Sequence, residues 1–222
     1  MALQTKTVNS TIKSYRLEAV MSNLLAEEIR DLAEEIGAFL VGSYTLASGK
    51  NSDHYFDGKT LMSYPEVAYK VGKYIYDRIV CLKPDYIGGL VLGAVPIASV
   101  VSLVSYQERK PIRTFLVREE NKEHGTKRIV EGGLKANCKV VIVDDVVTRG
   151  GSIKKAIDAA EAIGCTVVKV FTIVDRDEGG SQMLRDKGYD FESILTLKPS
   201  GDIEVSDEHY DTEGQTRKRV IC

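Results

Sequence analysis

The sequence predicts an α/β fold: a buried parallel sheet flanked by helices, preceded by a small N-terminal lobe. Two observations carry this. From residue 86 onward, short runs rich in Val and Ile alternate with segments of helical periodicity. Those runs are apolar at successive positions, as strands covered by helices on both faces must be. Length agrees, because 222 residues with 43% hydrophobic content provide a core for one domain over 1–222. The lobe spans about 20–64, the core about 65–198, and a polar tail 200–222.

Each element follows from its local pattern. Residues 1–19 are a polar lead-in. From Met21 to Leu40 the apolar positions Leu25, Ile29, Leu32, Ile36 and Leu40 recur at helical spacing, which predicts an amphipathic helix. The stretch 44–59, rich in Tyr, Ser, Gly, Asn and Asp, suits a hairpin or irregular lobe. Residues 65–80 return to helical spacing, with Pro65 suited to a first turn. Strands are expected at 86–92, 111–117, 139–145, 166–175 and 191–197. Helices are expected from Gly93 to about Tyr106, over 152–164 and over 180–188. The tail from Ser200 to Cys222 is expected to be partly disordered.

Composition excludes several classes. Thirty basic against 32 acidic residues give a net charge of −2, which removes any bulk case for binding nucleic acid or a membrane surface. No apolar run approaches a membrane span, and the N-terminus lacks a secretory core. Cys81, Cys138, Cys165 and Cys222 are scattered, with no metal-ligand spacing. Three sit among apolar residues, so buried free thiols in a cytoplasmic protein are expected.

The sharpest motif is VVIVDDVVTRGGS, residues 140–152. An apolar strand delivers Asp144 and Asp145, and Val146, Val147, Thr148, Arg149, Gly150, Gly151 and Ser152 lead into a helix. At the carboxyl end of a parallel strand, backbone N–H groups and a helix N-terminus make a phosphate cradle. The paired carboxylates are acceptor-only groups suited to the vicinal hydroxyls of a ribose. GxxxxGK[ST] is absent, so this is not a P-loop.

This motif resembles the phosphoribosyl pyrophosphate signature of the type I phosphoribosyltransferases. Further segments are similar to the orotate-specific branch of that family: YTLASGKNSDHYFDGK from Tyr44, FLVREENKEHGTKRIVEG from Phe115 and VDRDEGG from Val174. The resemblance implies transfer of a phosphoribosyl group from phosphoribosyl pyrophosphate to orotate, within pyrimidine synthesis. It implies a mobile loop bearing Arg118, Lys122 and His124 that closes over pyrophosphate across a homodimer interface, with Gly125 giving flexibility. It also implies Mg²⁺ carried in with the substrate rather than held in a protein cage, so no residue is assigned as a metal ligand. Segment 88–98 is similar to the family's pyrophosphate loop, which implies a cis peptide between Val91 and Leu92. The sequence departs from many relatives at Ala47 and Glu119, where they carry Lys; Lys50 lies near the first departure.

Orotate differs from uracil by a carboxylate, which an Arg grips through two parallel hydrogen bonds. Arg176 fits that role, with Thr148 beside it; an ordinary ion pair with Asp175 or Asp177 is the other reading. Tyr55 and Phe56 match positions that line the base pocket in the family, and core packing is their alternative. Two other functions remain open at this level: a regulator that keeps the phosphoribosyl pyrophosphate site without catalysis, and a transferase for a purine or uracil.

Overall fold

The computed structural model describes residues 20–45, 51–119 and 129–206. Helix α1 occupies 20–35. An antiparallel hairpin follows, β1 (Phe39–Thr45) and β2 (Asn51–Phe56). Next come α2 (Gly58–Ser63), α3 (Pro65–Ile79), β3 (Tyr86–Leu90), α4 (Ala94–Gln107), β4 (Arg113–Val117) and β5 (Val130–Glu131). The chain continues through β6 (Lys139–Val147), α5 (Gly151–Ala162), β7 (Thr166–Asp175), α6 (Gly180–Asp186), β8 (Phe191–Leu197) and β9 (Ile203–Val205).

Seven strands form the main sheet in the order β5-β4-β3-β6-β7-β8-β9. The inner strands β4, β3, β6, β7 and β8 are parallel, and the edge strands β5 and β9 are antiparallel. The chain leaves β3 for β4 on one side and returns to β6 on the other. The crevice beyond the carboxyl ends of β3 and β6 is therefore the topological switch point, where open α/β sheets bind ligands.

Alternation along β6 explains its continuous apolar character. Val141 and Val143 belong to one core cluster, with residues of α1, α3 and α4; Val140 and Ile142 belong to a second, with residues of α5 and α6. Both faces are covered, so both must be apolar. The inner strand β7 also carries a buried cation. Lys169 lies 2.8 Å from Glu192 and 3.4 Å from Asp190, and Arg78 pairs with Glu192 while its guanidinium lies 3.4 Å from the Tyr74 ring centroid. Opposite charges within the group make its burial tolerable.

Several expectations need correction. The first helix ends at 35, not at Leu40, which lies in β1. Gly37 at φ +73° stops it, with Gly37 N–H bonded to the Glu34 carbonyl and Ala38 N–H to the Ala33 carbonyl; Leu40 keeps helical phase by coincidence. Strand β6 runs past the acid pair to Val147, because its ladder with β7 persists to Val147↔Asp175. Strand β3 stops at Leu90, and the Val91–Leu92 peptide is cis, as the resemblance implied. Helix α5 starts one residue earlier than expected and ends at Ala162, and α6 ends at Asp186.

The tail contributes β9, whose neighbour Ser206 shares hydroxyl hydrogen bonds with Ser193 and Thr196. Helix α2 had no separate signal beyond Asp57, whose side chain caps it at Thr60 N–H. Of the cysteines, Cys165 is a buried free thiol and Cys138 a half-buried one, whereas Cys81 is disulfide-bonded. Spacing along a chain says nothing of thiols that folding brings together. The lead-in, Ala47, Lys50, Lys122, His124 and Cys222 lie outside the described residues.

Gly89 marks how closely β3 approaches β6: a Cβ there would lie 2.1 Å from the Val143 carbonyl oxygen and 2.8 Å from the Ala94 Cβ. Gly89→Ala must push the strands apart, and urea denaturation should show a loss of about 1–3 kcal/mol. A change below about 0.5 kcal/mol, the scale of ordinary surface substitutions, would show that the approach is not tight.

Candidate active site

Strand stagger builds the site. Strand β3 pairs with β6 only as far as Gly88↔Ile142, whereas β7 stays paired to the end of β6. Beyond Ile142 the β3-side edge of β6 faces the loop from β3 to α4. Gly93 in that loop lies against both carboxylates: a Cβ there would fall 2.1 Å from Asp144 Oδ1 and 2.7 Å from Asp145 Oδ1. Any side chain at 93 would displace the acid pair.

Asp144 and Asp145 are 6% and 7% exposed. The Asp145 N–H donates to Asp144 Oδ1 at 3.0 Å. Burial, then the neighbouring Asp145 charge, raises the Asp144 carboxyl from 3.8 to about 8. Lys59 Nζ sits 3.4 Å from Asp145 Oδ2, and the carboxylate holds that ammonium above its usual range.

Downstream, Val146 and Val147 turn into the apolar clusters, so they frame the site with backbone rather than side chain. Thr148 is half-buried, and Arg149, Gly151 and Ser152 are exposed. Gly150 at φ +77° makes the turn into α5, and no side chain caps that helix. Its first N–H groups and positive dipole end are thus available to an anion. Two bonds tie this loop to the one after β7: Arg176 N–H to the Val147 carbonyl at 3.0 Å, and Gly180 N–H to the Thr148 carbonyl at 3.0 Å.

Arg176 is therefore beside the cradle, 7% exposed. Its Nε donates to Glu178 Oε1 at 3.0 Å and its Nη1 to the His54 carbonyl at 3.1 Å. The alternative reading, an ordinary ion pair, is met by Glu178 rather than by Asp175 or Asp177; Asp175 Oδ1 accepts from the Asp177 N–H at 3.0 Å. The His54 bond brings β2 to the site. Phe56 is 3% exposed and packs on Phe39 at 5.0 Å, in the core. Tyr55 is half-buried, 5.3 Å from the Tyr44 ring, and alternation along β2 turns it to the opposite face.

Arg118 follows β4. Its N–H donates to the Ile129 carbonyl at 2.9 Å, joining the two ends of segment 119–128. Its Nε is buried without a hydrogen-bond partner among the described residues, a donor of the sort a ligand satisfies. The neighbouring Val117 carbonyl accepts from Val91 N–H at 2.9 Å, so Arg118 emerges next to the loop that covers the acid pair. Gly93, Lys59 and Glu178 were not singled out from sequence as site residues. Each lies within a segment quoted for the resemblance, Gly93 in 88–98, Lys59 at the end of 44–59 and Glu178 in 174–180, but none had a signal of its own.

A family model described as a phosphoribosyl transferase domain matches residues 57–201. An orotate phosphoribosyltransferase of Aquifex aeolicus is 42% identical over 154 residues, 69% of this chain and 84% of that protein. Among solved structures, orotate phosphoribosyltransferase of Mycobacterium tuberculosis H37Rv in complex with Fe(III) dicitrate superposes with a TM-score of 0.65 at 31% identity, covering 79% of this chain and 96% of that one. The same organism's enzyme in complex with 5-phospho-alpha-D-ribosyl 1-diphosphate gives a TM-score of 0.60 at 25% identity, covering 79% and 89%.

The raised Asp144 carboxyl has a consequence for stability. Between 3.8 and about 8 the folded chain keeps a proton that the unfolded chain releases, so stability falls as pH rises through that window. Asn imitates the neutral form. Asp144→Asn should leave the melting temperature near wild type at pH 3.5, below the window. At pH 8.5 it should raise stability by at least about 1 kcal/mol, a few degrees for a chain of this size. An equal effect at both pH values would mean that Asp144 is not held neutral.

Proposed function

The chain belongs to the phosphoribosyltransferase family, and on that premise we propose that it transfers the phosphoribosyl group of phosphoribosyl pyrophosphate to orotate, giving orotidine 5′-phosphate and pyrophosphate. One observation carries the proposal: the buried acid pair, the uncapped α5 N-terminus and the buried Arg176 guanidinium converge on one crevice.

Each group has a task in that reaction. Loop 148–152 takes the 5′-phosphate on backbone N–H groups and the Thr148 and Ser152 hydroxyls. Asp144 and Asp145 accept hydrogen bonds from the ribose hydroxyls and orient the anomeric carbon. Arg176 grips the orotate carboxylate, with Thr148 alongside, and Tyr55 flanks the base. Phe56 supports the pocket from the core rather than lining it. Departure of pyrophosphate builds positive charge on the ribose and negative charge on the leaving group, so positioning and charge stabilisation dominate. Arg118, Lys122 and His124 cover the pyrophosphate. Orotate attacks as a pre-ionised nucleophile, and no residue need act as general base.

Mg²⁺ is treated as part of the substrate. Two adjacent carboxylates are far short of the octahedral oxygen set that this ion demands, which fits an ion that would arrive with the substrate. When bound it would help to neutralise charge on the pyrophosphate.

We place the enzyme in the cytoplasm as a homodimer in which segment 119–128 reaches the partner's site. Leu92, Leu103 and Tyr106 are exposed by 68%, 57% and 73%, an apolar strip along α4 and the loop before it that a second copy would cover. Among the described residues no helix is long and apolar enough to cross a membrane.

With phosphoribosyl pyrophosphate and Mg²⁺, the chain should consume orotate, read as loss of its absorbance, and leave uracil and hypoxanthine untouched. Arg176→Ala, with Arg176→Lys as a milder variant, should raise the orotate KM by about 30-fold or more and shift the phosphoribosyl pyrophosphate KM less than about threefold. Equal losses for both substrates would remove Arg176 from the base pocket. Mixing Lys122→Ala and Asp145→Asn protomers should restore up to about a quarter of wild-type turnover, since random hybrids hold one intact site of two. Absence of any complementation would place the loop over its own subunit's site.

A further inference from the structure

A residue outside every role assigned so far stands at the acid pair. Two carboxylates buried side by side repel each other, and a nearby cation offsets that repulsion. Among the described residues, Lys59 is the cation within ion-pair range of either, 3.4 Å from Asp145 Oδ2. The two ends of this contact lie 86 residues apart in the chain.

The placement of Lys59 is built rather than incidental. Asp57 fixes the first turn of α2, accepting from the Thr60 N–H at 3.0 Å and the Thr60 hydroxyl at 2.7 Å. Leu61 and Met62, 0% and 6% exposed, anchor the helix in the core. Gly58 brings the backbone onto the acid itself, since a Cβ there would lie 2.7 Å from Asp145 Cβ. Lys59 follows with its side chain 56% exposed, against 10% for Asp145. A helix turn is thus pressed on the buried acid so that the next residue delivers an ammonium from the solvent side.

We propose that Lys59 is a positioning residue of the ribose site: by holding Oδ2, its ammonium fixes how the Asp145 carboxylate is turned toward the ribose hydroxyls. Oδ1 of the same group lies on the Gly93 side. Lys59 thus holds one oxygen while the other fills the space a side chain at 93 would take. Because α2 continues directly from β2, whose His54 carbonyl holds Arg176, the same segment sets both the ribose acid and the carboxylate-binding arginine.

The inference rests on the ribose reading of Asp144 and Asp145, and calorimetric titration with Mg²⁺ and phosphoribosyl pyrophosphate separates the two. Wild type should bind; if it does not, the ribose reading and the inference both fall. Lys59→Met, a surface change that should leave the melting temperature unaltered, should weaken binding about tenfold while the orotate KM moves less than about twofold. Lys59→Arg should recover binding to within about threefold of wild type. In an Asp145→Asn background, Lys59→Met should add less than about twofold, because its partner is gone. Unchanged binding by Lys59→Met, or a full further loss in the Asp145→Asn background, would overturn the inference while leaving the ribose reading intact.

Discussion

Everything at the ligand end of this sheet depends on holding two adjacent aspartates inside a strand buried on both faces. Such a pair is unfavourable in an apolar interior, and burial raises the Asp144 carboxyl to about 8. The fold tolerates it because β3 ends early, opening one edge of β6 to the Gly93 loop, while β7 keeps the other edge rigid. The destabilisation is local and is offset by the two apolar clusters that sandwich the sheet.

A second group of buried charges shows the contrast. Lys169, Glu192, Asp190 and Arg78 bring opposite signs together near the amino ends of β7 and β8. That arrangement is what a structural network requires. The Asp144–Asp145 pair places like charges together, with the half-exposed Lys59 as the cation opposite among the described residues. Such carboxylates in a crevice suit polar hydroxyls and an accompanying cation, which is why the proposed function gives the pair the ribose.

A net charge of −2 is compatible with a highly anionic substrate because the binding groups are few and focused. In the proposed reading the α5 N-terminus would contribute uncharged N–H donors, and Arg118 and Arg176 single guanidinium groups. So few groups would let the crevice take one phosphorylated sugar without making the surface basic.

The sequence by itself determined the alternating α/β pattern, the β6–acid pair–Gly150–α5 unit and Arg176 at the end of β7. Each is written in contiguous residues whose backbone geometry is local. Strand ends and the stop at Gly37 were less legible, because they depend on which neighbour continues a ladder or accepts the last N–H. Only the tertiary structure decided that Arg176 pairs with Glu178 and the His54 carbonyl, that Phe56 belongs to the core, that Gly93 and Gly58 lie on the carboxylates, and that Cys81 is disulfide-bonded. Apart from the Arg176–Glu178 pair, two residues apart, these contacts join segments far apart in the chain. They are set by register, stagger and close packing, none of which leaves a periodicity in the amino-acid order.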